Sequence, residues 1–206
     1  MYIREEGLPF AAPPALVAVV LGAMGHPLWA VLPAVAALAV CAFFRDPERV
    51  APSAADLLVS PADGKIIQTR ALGDGRMLIS VFMNVHNVHV NRAPCAVSTV
   101  SVAHSPGKFM AAWSEKASLD NEQVRMVFRT PRGAVEVVQI AGLVARRIVC
   151  WARFGRTFLR GERIGLIRFG SRVDLYLPQT EVEVLVRPGE KTRAGVTPVA
   201  RWRALP

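Results

Sequence analysis

The stretch that decides the reading runs Leu166-Ile167-Arg168-Phe169-Gly170-Ser171-Arg172-Val173-Asp174-Leu175-Tyr176-Leu177-Pro178. Apolar and polar residues alternate on both sides of a Gly-Ser pair, so two short strands are expected to meet at one small, tightly bent peptide. That peptide is open to attack. Gly170 has no Cβ to shield its carbonyl, and Ser171 sets a hydroxyl one residue downstream, within reach of that carbonyl for an N-to-O acyl shift. Most Gly-Ser pairs are simply turns, so the surrounding chain has to decide between the two.

On either side lie further short runs of strand character, punctuated by Gly and Pro: 65–68, 77–82, 97–103, 124–129, 134–140, 164–169, 173–177 and 181–186, with a last one near 196–202. Their spacing and β-branched content predict a mainly β sandwich or barrel over 50–206 rather than alternating βαβ units. Residues 1–49 differ in kind. From Gly7 to Phe44 the chain carries no formal charge for 38 residues, enough to cross a ~30 Å hydrocarbon core. Met24-Gly25-His26-Pro27 interrupts that stretch, which predicts two apolar helical legs near 15–25 and 28–44. The first leg is short for a bilayer, so a hairpin dipping into one leaflet is preferred over two full spans, with a single span as the alternative. Phe43 and Phe44, with charges just beyond, suit the headgroup level.

The 206 residues carry a net charge of +9, and removing the first 44 leaves 24 basic against 14 acidic side chains. A basic body behind an apolar end predicts an anionic membrane surface as partner. Nucleic acid is not expected, because the arginines come without a helix-turn-helix, zinc-finger or RNP-like signature. Cys41, Cys95 and Cys150 are odd in number and widely spaced, against a disulfide framework or a CxxC metal site, and no metal is expected.

Several blocks, in this order, carry a resemblance: Phe44-Arg45-Asp46-Pro47-Glu48-Arg49, Ser60-Pro61-Ala62-Asp63-Gly64-Lys65, Asn87-Val88-His89-Val90-Asn91-Arg92, Gln139-Ile140-Ala141-Gly142, Gly161-Glu162-Arg163-Ile164-Gly165, and the Gly170-Ser171 pair. Together they resemble the short, pyruvoyl-dependent form of the phosphatidylserine decarboxylases. One departure stands out: many relatives read Leu-Gly-Ser-Thr where this chain reads Phe169-Gly170-Ser171-Arg172, a change that bears on the lipid accepted.

The resemblance implies a barrel-sandwich-hybrid-like β domain, and a zymogen that cleaves itself between Gly170 and Ser171. Residues 1–170 become the β subunit and 171–206 the α subunit, a heterodimer of the chain's own products; further oligomerisation is left open. Ser171 becomes a covalent pyruvoyl group, the cofactor. It forms a Schiff base with the serine amine of phosphatidylserine, and CO2 leaves to give phosphatidylethanolamine at the cytoplasmic side of a cell membrane. His89 matches the base for self-cleavage, Asp63 the group that fixes its tautomer, and His86 the histidine assigned to decarboxylation or substrate handling.

The residues alone leave these roles open. A spacing of three puts His86 and His89 on opposite faces of a strand, or near one site in a turn. Asp63-Gly64 reads by itself as a hairpin turn. The segment from His104 to Met110 reads as a headgroup entrance or an ordinary loop, Ala117 to Glu122 has no physical role to assign, and Arg146, Arg147, Arg153, Arg156, Arg160 and Arg163 bind phosphate or form a solvated face. A non-catalytic tethered scaffold, with Gly170-Ser171 intact, and a decarboxylase for an ether-linked aminophospholipid are the alternatives.

Overall fold

Gly25 and Pro27 turn the apolar N-terminal stretch back on itself. In the computed structural model, which describes residues 2–107, 121–142, 147–168 and 171–204, helix α1 spans Leu8–Ala23 and α2 spans Pro27–Phe43. Gly25 takes φ +80°, with its N–H on the Gly22 carbonyl (3.1 Å) and the His26 N–H on Leu21 (2.9 Å), a Schellman stop that only a residue without Cβ adopts freely. Pro27 then opens α2, where its missing N–H is not needed.

The first leg is longer than the sequence suggests. It starts at Leu8 and runs through Pro13 and Pro14, and with the 3-10 turn at Glu5–Gly7 it gives 19 residues, long and apolar enough to cross a membrane. At 1.5 Å per residue that is roughly 28 Å. Phe43 and Phe44 also differ from expectation: they are buried, with Phe44 stacked on Phe10 at 6.0 Å and filling the space above Gly7. They close the base of the hairpin, where two short strands, β1 (Tyr2–Ile3) and β2 (Arg45–Asp46), pair antiparallel.

The chain divides into two compact units, Met1–Glu48 and Arg49–Pro206. In the second unit the strands are β3 (Leu57–Val59), β4 (Gly64–Ala71), β5 (Arg76–Met83), β6 (Val90–Arg92), β7 (Val97–Ser105), β8 (Gln123–Thr130) and β9 (Gly133–Ala141). They continue with β10 (Ile148–Cys150), β11 (Thr157–Phe158), β12 (Arg163–Ile167), β13 (Ser171–Pro178), β14 (Val182–Val184), β15 (Lys191–Thr192) and β16 (Pro198–Trp202). Eight form one antiparallel sheet in the order β11-β7-β8-β9-β13-β5-β4-β15; the others form two three-stranded sheets, β10-β12-β6 and β14-β16-β3. The mainly β reading holds.

Strand β13 occupies an interior position, paired along its length with β5 and over its first six residues with β9. Its odd residues Val173, Leu175 and Leu177 are fully buried in the core with Ile79, Val81, Val135 and Val137. Each such Val or Leu contributes about 1.5–3 kcal/mol on burial. A one-residue slip would exchange this row for Arg172 and Asp174, so the register is strongly set.

Candidate active site

Ser171 is the first residue of β13, and the inward row begins with it. Its cross-strand partners are Met83, the last residue of β5, and Ala141, the last residue of β9. Ser171 is fully buried, and its hydroxyl donates to the Met83 thioether sulfur at 3.3 Å. Gly170 and Phe169 lie outside the described residues, as do Lys108, Phe109, Met110, the stretch from Ala117 to Asp120, and Arg146.

The chain leaving Met83 makes a tight turn, with the Asn87 N–H on Asn84 O (2.9 Å) and the Asn84 N–H on Asn87 Oδ1 (2.8 Å). This settles the spacing of the two histidines. His86 sits exposed in the turn, whereas His89 is fully buried just before β6. The His89 carbonyl accepts from the Ile167 N–H (3.3 Å), four residues upstream of Ser171. His89 Nδ1 lies 2.9 Å from the Asn87 carbonyl. A carbonyl only accepts, so Nδ1 carries the proton and Nε2 is the basic nitrogen of the neutral ring.

Asp63 takes different partners from those the resemblance implies. Its carboxylate accepts both guanidinium arms of Arg49, one of them at 2.8 Å, and the Ala194 N–H at 2.7 Å. The pair is largely buried, with side chains 10% and 11% exposed. Nor is Asp63-Gly64 a hairpin turn. Gly64 opens β4 at φ +152°, and a Cβ there would stand 2.0 Å from the Phe82 carbonyl oxygen, so the backbones of β4 and β5 meet at a point that only glycine permits. The structure thus sets the His89 backbone beside Ile167, four residues before Ser171, and gives Asp63 to Arg49.

Residues that the motifs contained without a role complete the surroundings. Asn91 and Gln139 are both fully buried, and Gln139 Nε2 donates to Asn91 Oδ1 at 2.8 Å. Asn91 Nδ2 in turn faces the Met83 sulfur at 3.7 Å. Gln139 shares parity with Val135, Val137 and Ala141 on β9, so a polar residue in an inward apolar row was the legible signal.

Arg172 points to the other face of β13. It forks onto Asp174 (Nε–Oδ1 2.6 Å, Nη2–Oδ2 3.0 Å) and donates to Ser80 Oγ at 3.0 Å, all three residues being buried. Its side chain is therefore committed to an ion pair and does not line the Ser171 side. Two of the other arginines are also structural. Arg160 holds the carbonyls of Pro52, Ala54 and Leu57, while Arg156 bonds Trp151 O (3.1 Å) and pairs with Glu162.

A sequence model described as phosphatidylserine decarboxylase matches residues 36–200. The chain belongs to the phosphatidylserine decarboxylase family. It is similar to proteins named phosphatidylserine decarboxylase proenzyme from three bacteria. The protein of Syntrophus aciditrophicus is 44% identical over 209 aligned positions, covering 98% of both chains. That of Geotalea uraniireducens is 45% identical over 95% of this chain and 94% of its own, and that of Azorhizobium caulinodans 46% over 99% and 91%. The span matched to the phosphatidylserine decarboxylase family takes in Asp63, His86, His89, Asn91, Gln139 and Ser171.

Proposed function

We propose that this chain is the precursor of a phosphatidylserine decarboxylase that cuts itself between Gly170 and Ser171 and turns Ser171 into a pyruvoyl group. One observation carries the reading: a fully buried serine opens an interior strand, its hydroxyl on a weak sulfur acceptor; His89, also buried, is the base assigned to it here. Hydrogen bonding to a thioether is weak, so surrendering the Ser171 proton to a base loses little. His89 takes that proton, and the Gly170–Ser171 C–N bond is exchanged for an ester C–O bond. Loss of the Ser171 α-proton and cleavage of Cβ–O then release the Gly170 carboxylate and leave a dehydroalanine. Water displaces its nitrogen as ammonia, and a keto group remains at the head of β13.

The site suits that group, since residues 171–176 are held from both sides by β5 and β9 and a new end there stays in register. The pyruvoyl carbonyl supplies an electron sink for loss of CO2 from the serine headgroup, giving phosphatidylethanolamine. His86 lies exposed in the turn that links Met83 to His89, and in this reading it meets the arriving headgroup and returns a proton after CO2 leaves. Asp63 acts by fixing the frame of the site through Arg49 and Ala194, and reaches His89 only by exchanging Arg49. The α1–α2 hairpin, with Leu28, Trp29 and Leu32 each more than 70% exposed, holds the enzyme to the cytoplasmic face of an anionic membrane, to which the basic remainder is attracted.

The test is an intact-mass spectrum of the purified chain beside Ser171→Ala. Two fragments meeting at 170/171, the smaller bearing a pyruvoyl mass and absent from the variant, followed by CO2 release from phosphatidylserine vesicles, are expected. An uncleaved parent chain in active lipid conditions would overturn the reading, and release from ether-linked but not ester-linked lipid would reassign the substrate.

A further inference from the structure

Two side-chain amides buried among apolar residues are costly unless something uses them, because each must find partners away from water. Asn91 and Gln139 are fully buried in the interior of the β domain, and the sequence makes room for them: Gly165, the β12 partner of Asn91, has no side chain. A Cβ at Gly165 would lie 2.7 Å from Gln139 Nε2 and 3.0 Å from its Oε1. The Gln139 amide therefore occupies the space that a side chain at Gly165 would need. Its Oε1 has no hydrogen-bond partner among the described residues, so the pair is not there to satisfy itself.

The direction of the bonds is informative. Gln139 donates to Asn91 Oδ1, which turns the Asn91 N–H2 towards the Met83 sulfur, and that same sulfur accepts the Ser171 hydroxyl. The reversed arrangement would set the Asn91 oxygen against the sulfur lone pairs, two acceptors facing each other. Met83 has three rotatable bonds and would otherwise wander among rotamers.

We propose that Gln139 and Asn91 are positioning residues for self-cleavage: a buried amide relay that pins the Met83 thioether and, through it, the rotamer of the Ser171 hydroxyl. This rests on the self-cleaving reading above. The relay acts on the Ser171 hydroxyl, which exists only before the cut, so its effect is read in the rate of maturation.

The experiment follows fragment formation over time by intact mass in the full chain carrying Asn91→Asp, Met83→Leu, both together, and Gln139→Leu. Each single change removes a weak hydrogen bond or its orientation and slows cleavage about five- to tenfold. Because Asn91 works through Met83, the double variant is expected to be no slower than the slower single. Losses that multiply in the double variant would overturn the relay, as would wild-type cleavage in Gln139→Leu. Gln139→Leu places an apolar group of similar size in an apolar row, and reads the relay from its far end should Asn91→Asp fold poorly. A parent chain that never cleaves sinks the decarboxylase reading, and the relay with it.

Discussion

The Arg172–Asp174 pair beside Ser171 offers the sharpest stability test. Both side chains are sealed, 3% and 0% exposed, and two hydrogen bonds of 2.6 and 3.0 Å join them, with Ser80 taking a third. Arg172→Met leaves the Asp174 carboxylate charged, buried and unpaired, which costs about 3–5 kcal/mol. Replacing both partners, Arg172→Met with Asp174→Leu, should return most of that loss. The cross-strand neighbours of the two positions are Phe82, Ile140, Ser80 and Val138, three of them apolar, and the double variant is expected within about 1 kcal/mol of the parent. The assay is urea unfolding of the full chain in mild detergent, read by tryptophan fluorescence, with Ser171→Ala throughout so that every sample is one polypeptide. Midpoints should move without a change in slope. An Arg172→Met variant within about 1 kcal/mol of the parent, or a double variant as unstable as the single, would refute the account of this pair as mutually dependent buried charges.

Three further outcomes are expected. Gly64→Ala and Gly133→Ala both force a side chain onto positive φ (+152° and +111°), but the nearest atom to the new Cβ is backbone at 2.0 Å in one and the Pro178 side chain at 3.6 Å in the other. Gly133→Ala should therefore lose only about 1–3 kcal/mol in the same urea assay and Gly64→Ala distinctly more, and equal losses would contradict the geometry. Cys95 should resist a thiol reagent at pH 8 until the chain unfolds, since burial pushes its thiol up to about 12; prompt labelling of the folded chain would contradict that burial. Because that value is raised from 9.0, its contribution to stability is complete below about pH 9 and is lost as pH climbs towards 12, so Cys95→Ala should flatten the fall in melting temperature over that window.

Much of the fold was legible because its long strands carry a clear period. The runs at 77–82, 124–129, 134–140 and 173–177 correspond to β5, β8, β9 and β13, each with one apolar row facing the core. Strands of two or three residues, such as β6, β11 and β15, are too short to show any period and exist only because a neighbour pairs with them. The leg expected near 15–25 is shorter than α1, which begins at Leu8 and passes through Pro13 and Pro14. In the candidate site, Gly170-Ser171 reads by itself as a turn, and only the motif blocks around it single out Ser171. The fates of His86 and His89 did not, since a spacing of three changes meaning between strand and turn. Arg49 could not be named as the partner of Asp63, fourteen positions away in sequence, because only tertiary structure brings them together.

That β13 sits between two neighbours bears on the timing of events. A segment flanked by β5 and β9, and followed by β14, β15 and β16 lodged against other parts of the chain, has no open edge by which to enter a finished sheet. A free 171–206 peptide would have to be present while the sheet was still forming. If the chain cuts itself before Ser171 as proposed, folding must come first and the cut second, and the link before Ser171 is a tether that delivers the strand to its slot and becomes dispensable once the slot has closed. On this view the proenzyme is its own assembly factor, and a precursor cut too early would yield two fragments with no ready path back to one another.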